Sequence, residues 1–251
     1  MNDRTSRPLT GARTGQGTAA AVDQGLRRYM LGIYNYMASG VLLTGITALL
    51  VYTVPALTGL LYQTTFDGQI AGYTPLGWIV AFAPLAFVLV LSFGINRLSA
   101  SAAQALFWVY AGVMGLSLSS IFFVYTGQSI ASTFFVTAAA FGALSLYGYT
   151  TKRNLTAMGS FLFMGLIGII IAMLVNLFIQ SSMMAFIINC LGVLIFAGLT
   201  AYDTQRIRQT YDYVAGDRVA MQKSSVMGAL SLYLDFINLF LFLLRFMGNR
   251  E

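Results

Sequence analysis

Seven uninterrupted apolar segments, each long enough for a membrane-spanning helix, dominate this chain. A helix needs about 20 apolar residues to cross a hydrocarbon core of roughly 30 Å. The segments are apolar throughout and do not alternate in polarity over stretches of about ten residues, which favours helices over barrel strands. The predicted spans lie near 30–54, 76–95, 104–125, 128–150, 157–179, 183–205 and 226–246.

The composition points to the same class of protein. Hydrophobic residues make up 58% of the chain, charged residues only 9%, and the mean hydropathy is +0.76. Soluble domains contain about a quarter charged residues. The 251 residues leave little room outside the spans for a soluble domain. We therefore predict an all-α polytopic membrane protein, a bundle of seven transmembrane helices in contact with the lipid bilayer.

The basic residues predict the orientation of the bundle. By the positive-inside rule, their positions place the N-terminus in the cytoplasm, and an odd number of spans places the C-terminus outside. If span seven is re-entrant instead, both termini are inside. The net charge of +6 then reflects topology and contact with anionic lipid, and no localised basic region suggests nucleic-acid binding. Twelve of the 14 Lys and Arg residues precede span one or follow spans two, four and six: Arg4, Arg7, Arg13, Arg27, Arg28, Arg97, Lys152, Arg153, Arg206, Arg208, Arg218 and Lys223.

The segments outside the spans are short. Residues 1–25 are rich in Thr, Gly, Arg and Ala and lack the apolar core of a signal peptide, so we predict a disordered cytosolic tail before a membrane domain at 26–251. The stretch from Pro55 to Pro75 is the one long external loop and could form a short lid. Such short loops favour a bacterial inner membrane.

Missing residue types narrow the chemistry. The chain has no histidine, which excludes His-ligated zinc or haem and a His-based proton relay. The one cysteine, Cys190, lies within span six, where a buried apolar role is expected. Span seven contains no lysine for a retinal Schiff base. The sequence predicts no enzyme and no resident cofactor beyond a weakly bound Ca²⁺.

Two aspartates, Asp203 and Asp235, lie inside segments that otherwise belong in lipid. An ionised carboxylate at membrane depth costs about 3 kcal/mol on insertion scales, so such residues face the bundle interior or a wet cavity and usually mark a functional pathway. We therefore predict that these two residues form the functional site.

Helical spacing gives each aspartate a polar stripe. Asp235 lies nine residues into predicted span seven, about 14 Å at 1.5 Å per residue, so it can pair with Asp203 only if the two helices are offset. The stripes could oppose one another, because both helices join at the same cytoplasmic loop. Gly228, Ser231, Asp235 and Asn238 share one face of span seven, and Asn189, Gly192, Phe196, Thr200 and Asp203 fall in a similar stripe of span six.

A close pair of carboxylates would act as a proton switch. Two such groups a few ångströms apart cannot both ionise easily, so the pair would share a proton. With the amide of Asn238 or Asn189 and water, the carboxylates could also form a weak Ca²⁺ site that competes with protons. In the alternative structural interpretation, each aspartate pairs with an arginine, with Arg97 the best placed, or caps a helix end.

Two segments carry a family resemblance. GLTAYDTQRIR from Gly198 to Arg208 and GALSLYLDFINLFLFLLRFMG from Gly228 to Gly248 resemble the Bax inhibitor-1/YccA family. The similarity extends in outline from Arg28 onward and includes Tyr34-Asn35-Tyr36-Met37. This resemblance implies a bundle in which the other six helices surround helix seven, and a pH-sensitive leak of Ca²⁺ across the membrane.

The resemblance also implies residue roles. Asp203 and Asp235 match the family's di-aspartyl pH sensor. Arg97 matches the basic residue that latches onto this sensor from the end of helix two, and Arg245 matches an arginine beyond the sensor on helix seven. The acidic residue that some bacterial relatives carry on helix two is apolar here, at Ala86 or Phe87, so an outer gate built on that acid is in doubt.

Two other classes of function remain open. An intramembrane aspartyl protease also needs a Tyr-Asp and a second aspartate, which Tyr202, Asp203 and Asp235 supply. The sequence lacks that class's Gly-x-Gly-Asp and Pro-Ala-Leu motifs and has no proline after Pro84. The third class is a non-conducting regulator that binds a membrane protease or another membrane protein, as the YccA branch of the resemblance implies. A cation leak gated by the two aspartates is the predicted function.

Overall fold

A computed structural model describes residues 13–65, 70–95 and 97–249, with side chains described from Asp23 onward. The described chain is almost entirely helical, with one small antiparallel hairpin of strands β1 (Tyr62–Thr64) and β2 (Ile70–Tyr73). A 3-10 helix at Ser119–Phe123 extends α4. The α-helices are α1 (Arg13–Thr53), α2 (Pro55–Leu61), α3 (Pro75–Gly94), α4 (Ala100–Leu118), α5 (Gly127–Thr150), α6 (Thr156–Ile179), α7 (Ser182–Val214) and α8 (Arg218–Met247).

Within the described residues, seven helices are long and apolar enough to cross a membrane, and this confirms the predicted all-α seven-span bundle. Span six continues about two turns past its predicted C-terminal end, and span seven begins about two turns before its predicted start. In both cases polar residues continue the helix beyond the apolar segment. We call them spans one to seven: Asp23–Thr53, Pro75–Gly94, Ala100–Phe123, Gly127–Thr150, Thr156–Ile179, Ser182–Val214 and Arg218–Met247.

Two predictions about the ends and loops need adjustment. Residues 1–12 of the predicted disordered tail lie outside the described residues, but helix α1 already begins at Arg13. The run Ala19-Ala20-Ala21 favours helix there, since alanine is the best helix former. The predicted external loop forms helix α2 and the hairpin, and residues 66–69 at its tip lie outside the described residues.

The hairpin packs against the bundle through Tyr62. This residue is buried and hydrogen-bonds Ser119 across 2.8 Å, and its burial raises the pKa of its hydroxyl.

Short polar side chains begin most spans. The hydroxyls of Thr74, Ser99, Thr126 and Ser181 each accept a hydrogen bond from a backbone amide three residues ahead, at the starts of spans two, three, four and six. Asp217 caps span seven through two amides. These caps satisfy backbone donors that a helix start otherwise leaves unpaired.

Span seven is the most buried of the spans. In its most apolar window 67% of the residues are buried, against 11–33% in the other six. It packs on spans one, three, four and six. The arrangement of all six other helices around it, which the resemblance implies, stays a prediction.

Spans four and six approach unusually closely. A Cβ atom on Gly148 would lie 2.2 Å from the carbonyl oxygen of Ala201, so only glycine fits at this crossing. The crossing lies two residues from Asp203. The close approach therefore places span four directly beside the predicted site.

Contacts between helix ends show which ends lie together. Tyr29 in span one hydrogen-bonds Ser224 in span seven across 2.6 Å. Arg208 in span six donates to the carbonyl oxygen of Tyr149 in span four across 2.6 Å. We call this end of the bundle, which carries the basic loops, the basic end. At the other end, the amide of Thr126 donates to the carbonyl oxygen of Asn249 across 3.2 Å.

Candidate functional site

Spans six and seven form an antiparallel pair joined by residues 215–217. Gly216 in this turn has φ of 104°, a left-handed conformation that favours glycine. Two contacts set the register of the pair. Arg206 Nη2 donates to Ser231 Oγ across 3.4 Å, and the rings of Phe196 and Phe242 stack with centroids 5.7 Å apart.

This register brings the two aspartates to the same level. Asp203 lies three residues back from Arg206, and Asp235 lies four residues forward from Ser231. Because the helices are antiparallel, the two positions differ by one residue of rise, about 1.5 Å along the axis. The offset that direct pairing requires is therefore present. The two carboxyl groups are close enough for their charges to interact.

The environments of the two carboxyl groups differ. Asp235 is only 4% exposed, and its Oδ2 is buried with no hydrogen-bond partner among the described residues. Asp203 is 13% exposed along its side chain and lies 3.7 Å from the guanidinium of Arg206. A negative charge on Asp235 is therefore desolvated and beside another acid, whereas a charge on Asp203 has a cation next to it. This asymmetry suits a pair that holds one proton and one charge.

Arg206 is a site residue that sequence reasoning missed. Its side chain is 53% exposed, and it bridges Asp203 on its own helix to Ser231 on span seven. Its guanidinium also lies over the ring of Tyr202, 5.8 Å from the centroid. The three-residue spacing from Asp203 was a usable signal, because residues three apart on a helix are neighbours. In the sequence, Arg206 contributed only to the predicted orientation of the bundle.

Arg97, the predicted latch, forms no ion pair with either aspartate among the described residues. It is exposed in the turn after span two, where its backbone amide donates to the carbonyl oxygen of Gly94 across 2.9 Å. Among the described residues, the ion pair at the aspartates is made by Arg206. The role of Arg97 as a latch stays a prediction.

The supporting polar residues occupy different places. Ser231 lies at the pair, through its contact with Arg206. Thr200 and Asn238 each bond a carbonyl oxygen one turn back on their own helices, across 2.8 Å. Asn189 lies 14 residues from Asp203 along span six, about 21 Å, so the structure does not bring it to the carboxylates. Arg245 is exposed, with its guanidinium 5.8 Å from the ring centroid of Phe242.

The two carboxyl groups alone do not supply the ligands of a tight Ca²⁺ site. Ca²⁺ takes about 6–8 oxygen ligands. Within the described part of the chain, no cluster of three or more acidic, histidine or cysteine side chains is present to hold a metal. Arg206 also already lies beside Asp203, so a cation at the pair would compete with it.

A buried chain of hydroxyls flanks the pair. Tyr34 in span one hydrogen-bonds Ser145 in span four. Ser145 in turn lies 2.9 Å from the hydroxyl of Thr204, which donates to the carbonyl oxygen of Thr200 across 2.8 Å. This chain links three spans at the residue next to Asp203. Sequence analysis missed it, because isolated hydroxyl residues in apolar helices produce no periodic pattern.

A second group of hydroxyls lies on another face of span seven. Tyr233 bonds Thr44 of span one across 2.6 Å, and Thr44 donates to the carbonyl oxygen of Ala111 in span three across 2.8 Å. The ring of Tyr110 packs edge-on against Tyr233, and its hydroxyl is buried without a partner in the described residues. These contacts link spans one, three and seven on the face of span seven that carries Tyr233.

Comparison with known proteins gives a family match and similar relatives. The family model described as "Inhibitor of apoptosis-promoting Bax1" matches residues 26–251. The uncharacterized protein RP147 of Rickettsia prowazekii is 53% identical over 91% of this chain and 92% of that protein. An uncharacterized protein of Caulobacter vibrioides is 52% identical over 92% of both chains. The inner membrane protein YbhL of Escherichia coli is 48% identical over 90% of this chain and 94% of its own.

Proposed function

This chain belongs to the Bax inhibitor-1 family, and from that premise we propose that it is a pH-sensitive leak channel for calcium and other cations in the bacterial inner membrane. The N-terminus is cytoplasmic in this proposal, so the basic end of the bundle faces the cytoplasm. The inner-membrane location rests on the relative YbhL.

One observation carries the proposal: a buried carboxyl oxygen of Asp235 without a partner, level with a second acid that pairs with Arg206. An unpaired buried polar atom costs about 1–3 kcal/mol, so a purely structural role would not favour it. Proton binding changes the charge of this pair by one, inside a helix interface where charges are weakly screened.

The proposed gate follows from that change of charge. With one carboxylate ionised, the pair attracts Arg206, which also contacts Ser231 and so links spans six and seven. When the pair is neutralised at lower pH, this attraction is lost and the link weakens. Beyond Asp235, Leu239, Phe240 and Leu244 of span seven are buried and form the apolar barrier to be opened. The leak therefore increases as the pH falls.

The test is cation flux through purified protein in liposomes carrying an internal Ca²⁺ indicator. Asp235→Asn and Asp203→Asn should each flatten the dependence of flux on pH between roughly pH 6 and 8, and the double variant should add little, because coupled groups are non-additive. Asp212→Asn is the matched control, since Asp212 is an exposed acid on the same helix. Full pH dependence in the folded double variant would refute the proposal.

The second candidate is a non-conducting regulator that binds a membrane protease or another membrane protein. The buried Leu239, Phe240 and Leu244 between Asp235 and the far end of span seven favour it, because they form an apolar barrier to ions. The same liposomes separate the two candidates. A wild-type protein without cation flux at any pH would favour the regulator.

A further inference from the structure

A crevice lies between spans one and four, beside the hydroxyl chain. At the basic end it widens into a cavity of about 430 Å³, within the range of roughly 300–1,000 Å³ typical of small-ligand sites. Met30 and Leu31 line it from span one, and Gly142 and Leu146 line it from span four. Leu31 and Leu146 are exposed, so the cavity opens sideways toward lipid.

The mouth of this cavity is basic. Arg27 lines it and is exposed, and in the described part of the chain its guanidinium pairs with no acid. Tyr149, also in the lining, is held by Arg208, whose guanidinium lies 5.3 Å from the ring centroid. Two arginines therefore flank one end of an apolar cavity, and its lining among the described residues includes no acid.

The crevice continues toward the other end of the bundle. A second cavity, of about 440 Å³, is lined by Leu42, Gly45 and Leu49 of span one and Phe134 of span four. The bond between Tyr34 and Ser145 sets the antiparallel register, which places Gly45 level with Phe134. The two cavities thus follow one another along the same pair of helices, the first with a basic mouth and the second with an apolar lining.

We propose that this crevice binds one anionic phospholipid, with its phosphate at Arg27 and an acyl chain along spans one and four. Basic pockets between helices at the cytoplasmic side suit anionic headgroups, and the apolar lining suits a chain. The Tyr34 and Ser145 hydroxyls also line the cavity and bond each other there. Since Ser145 also bonds Thr204, the bound lipid contacts the flank of the aspartate pair. The lipid site is independent of whether the protein conducts ions.

Binding is tested on delipidated full-length protein in neutral detergent, by native mass spectrometry with phosphatidylglycerol or phosphatidylcholine. We expect one retained phosphatidylglycerol per chain and weaker retention of phosphatidylcholine. Arg27→Gln should weaken phosphatidylglycerol binding about fivefold, which corresponds to the binding free energy that one basic residue contributes at an anionic lipid surface. Arg153→Gln, which removes an exposed arginine at the same end but outside the cavity, should leave binding unchanged.

Gly142→Leu tests the cavity itself. A Cβ atom on Gly142 would meet nothing within 4 Å, so a leucine side chain starts into open space, and we expect the fold to survive. This variant should abolish retention of the lipid. Gly168→Leu on span five is the control, because a Cβ there also meets nothing within 4 Å and the residue lies outside the crevice.

Three results would overturn the proposal. The first is unchanged phosphatidylglycerol binding in folded Gly142→Leu. The second is an equal loss in Arg27→Gln and Arg153→Gln, which would indicate general attraction to the basic end. The third is equal retention of glycerol phosphate in the same measurement, which would indicate an anion site without a lipid. If the protein is a dimer that Gly142→Leu dissociates while lipid binding stays unaltered, the crevice is the contact between two copies of the chain.

Discussion

Replacing Asp235 by asparagine should make the protein more stable, although this residue is the predicted centre of its function. The side chain is 4% exposed, and Oδ2 has no hydrogen-bond partner in the described chain. The neighbouring acid, Asp203, adds repulsion whenever both groups are charged. Asparagine keeps the shape of the side chain and removes the charge.

The size of the effect follows from the cost of one unpaired buried polar group. That cost is about 1–3 kcal/mol, and asparagine recovers part or all of it, because at neutral pH it requires neither a buried charge nor the uptake of a proton on folding. In a chain of this length each kcal/mol corresponds to about 2–4 °C in melting temperature. We therefore expect a rise of about 2–12 °C at neutral pH.

Thermal unfolding in one detergent at one pH measures this difference. Asp203→Asn should not stabilise the protein, because Asp203 is partly exposed and already has Arg206 as its partner. Asp212→Asn, an exposed change on the same helix, should stay within about 0.5 kcal/mol of the wild type. A melting temperature for Asp235→Asn equal to or below that of the wild type would refute the reasoning. It would show that the carboxyl group is satisfied in the native protein.

Two further predictions concern the gate and the topology. Arg206→Gln should raise the leak at neutral pH by up to about fivefold, which corresponds to the free energy of a partly exposed ion pair. Arg97→Gln should raise the leak less. Equal effects of the two variants in flux assays would instead support Arg97 as the latch. In a Cys190→Ser background, a membrane-impermeant thiol reagent added outside should label Gln128→Cys and spare Lys152→Cys, and the opposite pattern would reverse the orientation.

The sequence was sufficient to predict the spans, because the cost of unpaired backbone groups in lipid leaves few alternatives to apolar helices. Span ends were predicted less well. The helix that carries Asp203 continues to Val214, and the next helix already begins at Arg218. Those added turns are polar and hold no hydropathy signal, although Asp217 is a recognisable cap. The ends matter, because they set where each aspartate lies relative to its helix partner.

The site was predictable in part. Asp203 and Asp235 stand out in the sequence because a carboxylate in an apolar segment is rare. The offset between their helices could not be read from the sequence, since it depends on side-chain packing such as the stacking of Phe196 on Phe242. Arg97 was predicted as the partner arginine, from its position and by resemblance. The structure has Arg206 at the pair, and the latch role of Arg97 stays a prediction.

The position of Arg206 limits what an ion pair can do in this gate. Asp203 and Arg206 belong to the same helix, so their attraction alone cannot hold two helices together. What crosses the interface is the contact of Arg206 with Ser231 at 3.4 Å and the charge interaction with Asp235. The first is long and exposed, and so is weak. The shared charge of the Asp203 and Asp235 pair is therefore the strongest proton-dependent term between spans six and seven, which is why the proposed gate depends on the two aspartates more than on either arginine.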